Sequence, residues 1–209
     1  MSRIVVTNSV TLDGVMQAPG RANEDRRDGF DLGGWAQPYA DSVMGSVMAA
    51  GIGDAGALLF GRKTYADFAS IWPAMTVENP YTEVINNIPK YVTSKTLPGP
   101  LSWNNSILLS GEATTTVAEL REQPGKDIVI LGSGELVRAL MRWGLIDQYT
   151  LLIHPLVLGT GRRLFPDGGP SASLDLVDSR TTSTGVIIAT YRPAAPVAPA
   201  PPVPLPGLA

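Results

Sequence analysis

The sequence predicts an α/β domain built on a largely parallel sheet that closes with an antiparallel hairpin. Three observations carry that expectation. Short apolar runs such as Ala57-Leu-Leu-Phe60 and Ile128-Val-Ile-Leu131 suit strands covered on both faces. Segments of helical character separate the runs, and strands alternating with helices are the pattern of a parallel sheet. The chain end breaks the alternation, since residues 174–178 and 186–191 flank residues 179–185 as an antiparallel pair.

Taken in order, residues 4–10, Ile-Val-Val-Thr-Asn-Ser-Val, are rich in β-branched side chains and run to the Asp13-Gly14 turn pair, so they form an opening strand. Ala57-Leu-Leu-Phe60, Tyr91-Val-Thr93, Ile107-Leu-Leu109 and Ile128-Val-Ile-Leu131 follow as inner strands. Asn79-Pro80 reads as a helix cap with proline at the first helical position, and Ile88-Pro89 closes that helix. Thr116-Val-Ala-Glu119 has capping-box spacing before Leu120, and Pro124-Gly125 stops the segment. After Gly134, residues Leu136, Val137, Leu140 and Met141 fall on one helical face that Gly144 ends. Residues 148–154 are a strand stopped by Pro155.

With 209 residues and 44% hydrophobic content the chain can bury one sizeable core, expected over residues 1–192. From Pro193 the sequence PAAPVAPAPPVPLPGLA forbids helix and sheet and reads as an extended tail over residues 193–209. A formal charge of -3 gives no basic surplus for a nucleic-acid backbone or an anionic membrane, which points to small ligands. The absence of cysteine removes disulfides, thiolate nucleophiles and cysteine metal sites, and fits a reducing cytoplasm. No apolar run approaches the roughly 18 residues that span a bilayer, and no targeting segment is expected.

The chemistry concentrates at three strand ends. Gly132-Ser133-Gly134 follows the run ending at Leu131 and opens a helix, as a phosphate cradle requires: unpaired amides with no β-carbon in the way. It lacks a dinucleotide fingerprint, because the third glycine falls at Val137 and the region about 20 residues on reads Leu151-Leu-Ile-His154. A simple chain reversal explains it equally well. Gly61-Arg62-Lys63-Thr64-Tyr65 and Ser94-Lys95-Thr96 repeat the plan with cations and hydroxyls, although Arg62 and Lys63 also suit a solvated pair and Ser94 a cap. Ligands gather at the carboxyl ends of parallel strands, so the repetition favours a dinucleotide with several phosphates.

These residues resemble the dihydrofolate reductase-like superfamily, and within it the reductase domain of bifunctional riboflavin-biosynthesis deaminase-reductases. The matching pieces are Ser9-Val-Thr-Leu-Asp13-Gly14, Gly61-Arg-Lys-Thr-Tyr65, Val92-Thr-Ser-Lys-Thr-Leu97, Gly132-Ser-Gly-Glu-Leu136 and Pro155-Leu-Val-Leu-Gly-Thr-Gly161 with Leu164-Phe165. The resemblance implies a three-layer α/β/α fold, NADPH as hydride source, and homodimers formed through sheet edges. It assigns Gly61, Arg62, Lys63 and Thr64 to the pyrophosphate side, Ser94 and Lys95, with Thr96, to the adenosine 2′-phosphate, and Gly132, Ser133, Gly134, Glu135 and Leu136 to the diphosphate. For Glu135 the backbone amide is the expected contact, since its carboxylate repels phosphate. Asp13, Met16 and Gln17 then line the nicotinamide and substrate, with Trp72 at the pocket edge or in the core. No deaminase half or zinc motif is expected, and residues 20–34 read as an inserted loop beside the site.

Hydride transfer to a C=N or C=O bond needs close positioning and a proton source. Asp13, Asp41 and water are the expected donors, with Asp13 equally a turn former. His154, in an apolar strand, is expected to be structural. Asp167 either reaches substrate or belongs to a glycine-rich turn, and Arg21, Arg26, Arg162 and Arg163 are unplaced cations for an acidic substrate group. Three readings remain open: an NADPH-dependent reductase of a small heterocycle, a catalytically silent nucleotide-binding module, and an interaction protein that uses its proline-rich tail.

Overall fold

The computed structural model describes residues 1–75 and 80–195. Its frame is an eight-stranded sheet in the order β4-β3-β2-β5-β1-β6-β8-β7. The strands are β1 (Ile4–Thr11), β2 (Ala57–Gly61), β3 (Lys90–Ser94), β4 (Ser106–Ser110), β5 (Ile128–Leu131), β6 (Gln148–His154), β7 (Leu174–Thr181) and β8 (Ile187–Pro193). The helices are α1 (Ser42–Gly53), α2 (Arg62–Ala69), α3 (Pro80–Asn87), α4 (Ala113–Glu122) and α5 (Gly134–Arg142). The first six strands pair in parallel, and β8 lies antiparallel between β6 and β7.

Successive strand side chains sort to opposite faces, and that period of two builds three layers. Ile4, Val6, Leu59, Ile128 and Ile130 pack with Val117 and Leu120 of α4 and Leu136, Val137 and Leu140 of α5. Val5, Leu58, Phe60, Val129 and Leu131 pack on the other face with Ile52 of α1, Tyr65 of α2 and Ile85 of α3. Uniformly apolar strands are therefore what a sheet covered on both sides demands.

Four expectations need correcting or limiting. The helix expected to start at Thr116 is α4 and starts at Ala113 after Glu112, because the Thr116 hydroxyl bonds back to the carbonyls of Glu112 and Ala113 instead of capping. The hairpin is longer than expected: β7 continues to Thr181, and β8 runs through Pro193, which sits opposite Leu174 at the strand end where a missing N–H is tolerated. Helix α1 escaped sequence analysis because Gly45, Gly51 and Gly53 dilute its helical signal. The Asn79 cap and residues 196–209 of the tail lie outside the described residues.

Candidate functional site

The adjacent strands β2 and β5 each feed a helix whose amino end opens at the same sheet edge. Between β5 and α5 the chain reverses through two left-handed residues, Gly132 at φ 61° and Ser133 at φ 50°. A serine tolerates that conformation here because its groups are tied down. Its amide donates to Thr64 Oγ1 at 3.1 Å, and its Oγ accepts from the Gly61 amide at 3.0 Å. Asn8 of β1 donates to the Gly132 carbonyl at 3.1 Å. The two strand ends are thus clasped to each other, with β1 bracing the turn.

The first amide of α5 bonded in helical fashion is Val137, which donates to Ser133 O at 3.0 Å. The amides of Gly134, Glu135 and Leu136 precede it and have no acceptor within their helix, which leaves a positive rim. A β-carbon at Gly134 would stand 2.4 Å from the Met16 sulfur. Gly134 keeps that approach clear, so helix start and opening loop meet without a side chain between them.

Two clefts adjoin at this rim. One, of about 420 Å³, has Phe68, Trp72, Met16 and Met48 as apolar lining, with Asn8, Gln17 and Gly132 among its polar lining. The other, of about 330 Å³, is lined by Gly61, Arg62, Ser94, Lys95, Thr96 and Leu136 among others. Lys63, Thr64, Ser133, Gly134 and Glu135 line both. Every residue the sequence offered for the cofactor is therefore at one continuous site, although its contributors lie on three separate strand ends.

Local bonding refines their roles. Ser94 Oγ accepts from the amides of Thr96 and Leu97 at 3.1 and 2.9 Å, so it folds the turn that carries Lys95 and Thr96. Lys95 pairs with Glu112, and both side chains are exposed. Arg62 and Lys63 are exposed and form no ion pair among the described residues.

Of the expected substrate residues, Met16, Gln17 and Trp72 line the larger cleft, whereas Asp13 and Asp167 line neither, and neither does Asp41, the other acid expected as a proton donor. Asp13 is spent on the chain around it. The Thr11 hydroxyl donates to it at 2.6 Å and the amides of Leu158 and Gly159 at 3.2 and 2.9 Å, which together hold its carboxyl below the usual range. Asp41 caps α1 through the Met44 amide at 2.8 Å and accepts from both the amide and hydroxyl of Ser183 at 2.7 Å. His154 is fully buried, with Nδ1 2.9 Å from Leu152 O and the rings of Trp35 and Tyr39 edge-on at 5.1 and 5.6 Å. Burial lowers its pKa, in keeping with a neutral structural ring.

Sequence reasoning missed several residues that face the larger cleft, among them Asn8, Glu24, Arg27, Asp67 and Arg138. Glu24 belongs to the loop of residues 20–34 and accepts at one oxygen from the Gly20 and Arg21 amides, at 2.7 and 3.1 Å. Burial raises its pKa, and the neighbouring Asp67 charge adds to the shift. No spacing announces Glu24; the loop reaches the cleft because Arg21 pairs with Asp67 at 2.6 Å and Gln17 donates to the carbonyls of Asp25 and Arg27.

Helical layers on both faces, parallel strands and a cleft of amides, hydroxyls and cations at their carboxyl ends define an α/β protein with a divided site suited to anions. The family model of the RibD C-terminal domain matches residues 2–188, and the chain belongs to that family, as a reductase-domain protein of riboflavin-biosynthesis type. It is 34% identical over 140 residues to the uncharacterized protein YyaP of Bacillus subtilis (strain 168), a match that spans 65% of this chain and 72% of that one. Among solved structures it is similar to a putative riboflavin biosynthesis protein from Shewanella sp. PV-4, at TM-score 0.65 and 20% identity over 92% of this chain and 99% of that one. A pyrimidine reductase-like protein from Corynebacterium diphtheriae gives TM-score 0.64 and 15% identity, covering 93% of each chain. RibD of Acinetobacter baumannii gives 0.59 and 16%, covering 93% of this chain and 59% of that one. These likenesses show the fold. Among the described residues no helix is long and apolar enough to cross a membrane, and no group of three or more His, Cys, Asp or Glu could hold a metal.

Proposed function

We propose that this protein is an NADPH-dependent reductase of a small heterocyclic substrate, of the kind acted on by pyrimidine reductases. The observation that carries the reading is the convergence of two helix starts and the cations Arg62, Lys63 and Lys95 on clefts joined at Thr64, Ser133 and Gly134. Free amides and cations suit phosphates, and the site has no β-carbon at Gly134 to fill it. When bound, the dihydronicotinamide supplies a hydride. The chain's part is to position: the smaller cleft holds the phosphorylated adenosine end, and Met16, Phe68 and Trp72 flank a planar ring in the larger one. Glu24 is the carboxyl on that cleft whose pKa burial raises, which makes it the candidate to carry a proton to the substrate.

Calorimetric titration with NADPH and, separately, NADH tests the reading. Micromolar NADPH binding with clear preference over NADH is expected; binding of neither removes the assignment. One observation favours a second reading, a nucleotide-binding module without turnover: Asp13 and Asp41, the acids expected as proton donors, are both engaged in fixing loops. NADPH binding without oxidation across a panel of heterocycles, and unchanged by Glu24→Gln, would favour it. A homodimer is a further part of the proposal, because edge strand β7 exposes Leu176 and Val177. Sedimentation equilibrium showing only monomer at micromolar concentration would remove it.

A further inference from the structure

We infer that Arg27 and Arg162 form a paired receptor for a phosphate-type anion, and that the Glu135 carboxylate occupies the anion's place until the ligand displaces it. The inference rests on the nucleotide reading above and extends it to two residues on two different loops. Its basis is the way each guanidinium is held. Arg27 gives its Nε to both oxygens of Asp25, at 2.7 and 3.0 Å, and its Nη2 to the same carboxylate. Arg162 gives its Nε and Nη2 to Asp28 Oδ2, at 3.1 and 2.9 Å. One edge of each guanidinium is thereby fixed by an aspartate, and one donor, Nη1, is left over on each.

Both leftover donors meet at one atom. Arg27 Nη1 lies 3.2 Å and Arg162 Nη1 3.0 Å from Glu135 Oε1. Two charged donors converging on one oxygen are the arrangement that binds an oxyanion. The loops that carry them are locked beneath by Gln17, which is 4% exposed. Its amide nitrogen donates to Arg27 O at 3.0 Å and its oxygen accepts from the Arg162 amide at 2.9 Å. Glu135 is held far less tightly, as its side chain is 63% exposed and it stands in the first turn of α5. A carboxylate with those freedoms can turn to solvent at small cost, whereas the backbones of both arginines are tied through Gln17 and the Arg27 guanidinium is held on the part-buried Asp25.

The place is also right. Arg27 and Glu135 line both clefts, Arg162 lines the larger, and Lys63, which has no ion pair among the described residues, lines both. An anion there meets the free amides of α5 as well as the two Nη1 donors. Without displacement of Glu135 its charge opposes any phosphate that approaches the cradle. The exchange of one carboxylate for one phosphate resolves that conflict.

Calorimetric titration of the full chain with pyrophosphate and with NADPH, at low and at raised salt, tests the exchange. Glu135→Gln is expected to tighten both ligands by about fivefold, the size of an exposed ion pair no longer in competition. Arg27→Gln and Arg162→Gln are each expected to weaken both by about tenfold or more, as loss of a charged hydrogen bond does. Because tighter binding cannot arise from misfolding, Glu135→Gln decides the matter: equal or weaker pyrophosphate and NADPH binding overturns the pair. If pyrophosphate tightens in Glu135→Gln but no variant binds NADPH, the anion receptor stands and the dinucleotide reading falls. If NADPH binds the wild type and is indifferent to all three substitutions, the dinucleotide reading stands and the receptor falls. Ribose 5-phosphate added to the NADPH-saturated protein distinguishes the source. Exclusion assigns the pair to the cofactor's phosphates, and additional binding that Glu135→Gln strengthens assigns it to a phosphate on the substrate.

Discussion

The two ends of the same parallel strands use charge in opposite ways. At the amino end, Asp147 accepts from the Ile4 amide at 2.8 Å and pairs with Arg121, while Arg3 pairs with Asp127 and Ser2 bonds to the Gln123 carbonyl at 3.0 Å. Those contacts staple β1 to the loops before β5 and β6 and leave the groups little to offer a ligand. At the carboxyl end, helix amides, the free cations Arg62 and Lys63, and the leftover donors of Arg27 and Arg162 face open clefts. The residue types are the same at both ends. The direction of the strands sorts them, because every helix that follows a parallel strand starts, with its positive dipole end, at the carboxyl edge.

That contrast can be broken or sharpened by substitution. The largest expected effect is at the amino end, where Asp147→Ala leaves the Ile4 amide and Arg121 without their acceptor and costs about 2–3 kcal/mol of stability. Urea unfolding should record that loss while NADPH affinity stays within error; a parallel loss of affinity would show that the two ends are not independent. Gly134→Val is expected to act in reverse. Its side chain drives the flexible end of Met16 into the larger cleft, and about 2 kcal/mol of displaced contact corresponds to a roughly 30-fold loss of NADPH affinity with the fold retained. Unaltered calorimetric affinity would place the cofactor elsewhere.

Smaller effects follow at the exposed cations. Arg62→Ala and Lys63→Ala should each weaken NADPH about tenfold with little change in thermal midpoint. Lys95→Ala should weaken NADPH and spare NADH, and an equal loss for both would detach that lysine from the 2′-phosphate. The smallest effect concerns Asp13. Its folded pKa is depressed by the Thr11 hydroxyl and the Leu158 and Gly159 amides, so its stabilising contribution is present above the unfolded value near 3.9 and is lost as pH falls through the folded value. Acid unfolding of Asp13→Asn should lack that component, with the difference from wild type closing below about pH 4.

Much of this architecture is legible in the sequence because it depends on local pattern. Apolar runs at Ala57, Ile107 and Ile128 announce strands, and the glycine at position 61 or 132 marks where each strand gives way to a helix. Even the three contributors to the clefts can be read, since strand polarity alone puts their ends on one edge. Helix α1 is not legible, as its cap, Asp41, belongs to no apolar periodicity and its glycines argue against helix. The acids went astray for a related reason. Asp13 and Asp41 stand in suggestive places along the chain, but whether a carboxylate faces a cleft or a neighbouring amide depends on partners as remote as Gly159 and Ser183.

The sequence by itself determined the order of the strands and of the helices other than α1, the absence of cysteine chemistry, and the glycines and cations gathered at three strand ends. Those properties follow from short-range sterics and from hydrophobic periodicity, which act over a few residues. Only the tertiary structure decided which charges are spent and which remain. It placed Glu24, Asp67 and Arg138 on the cleft, clasped Ser133 to Thr64, and turned Arg27 and Arg162 toward one oxygen of Glu135. Such choices rest on hydrogen bonds between residues 27 to 108 positions apart, and no local pattern in the chain specifies them.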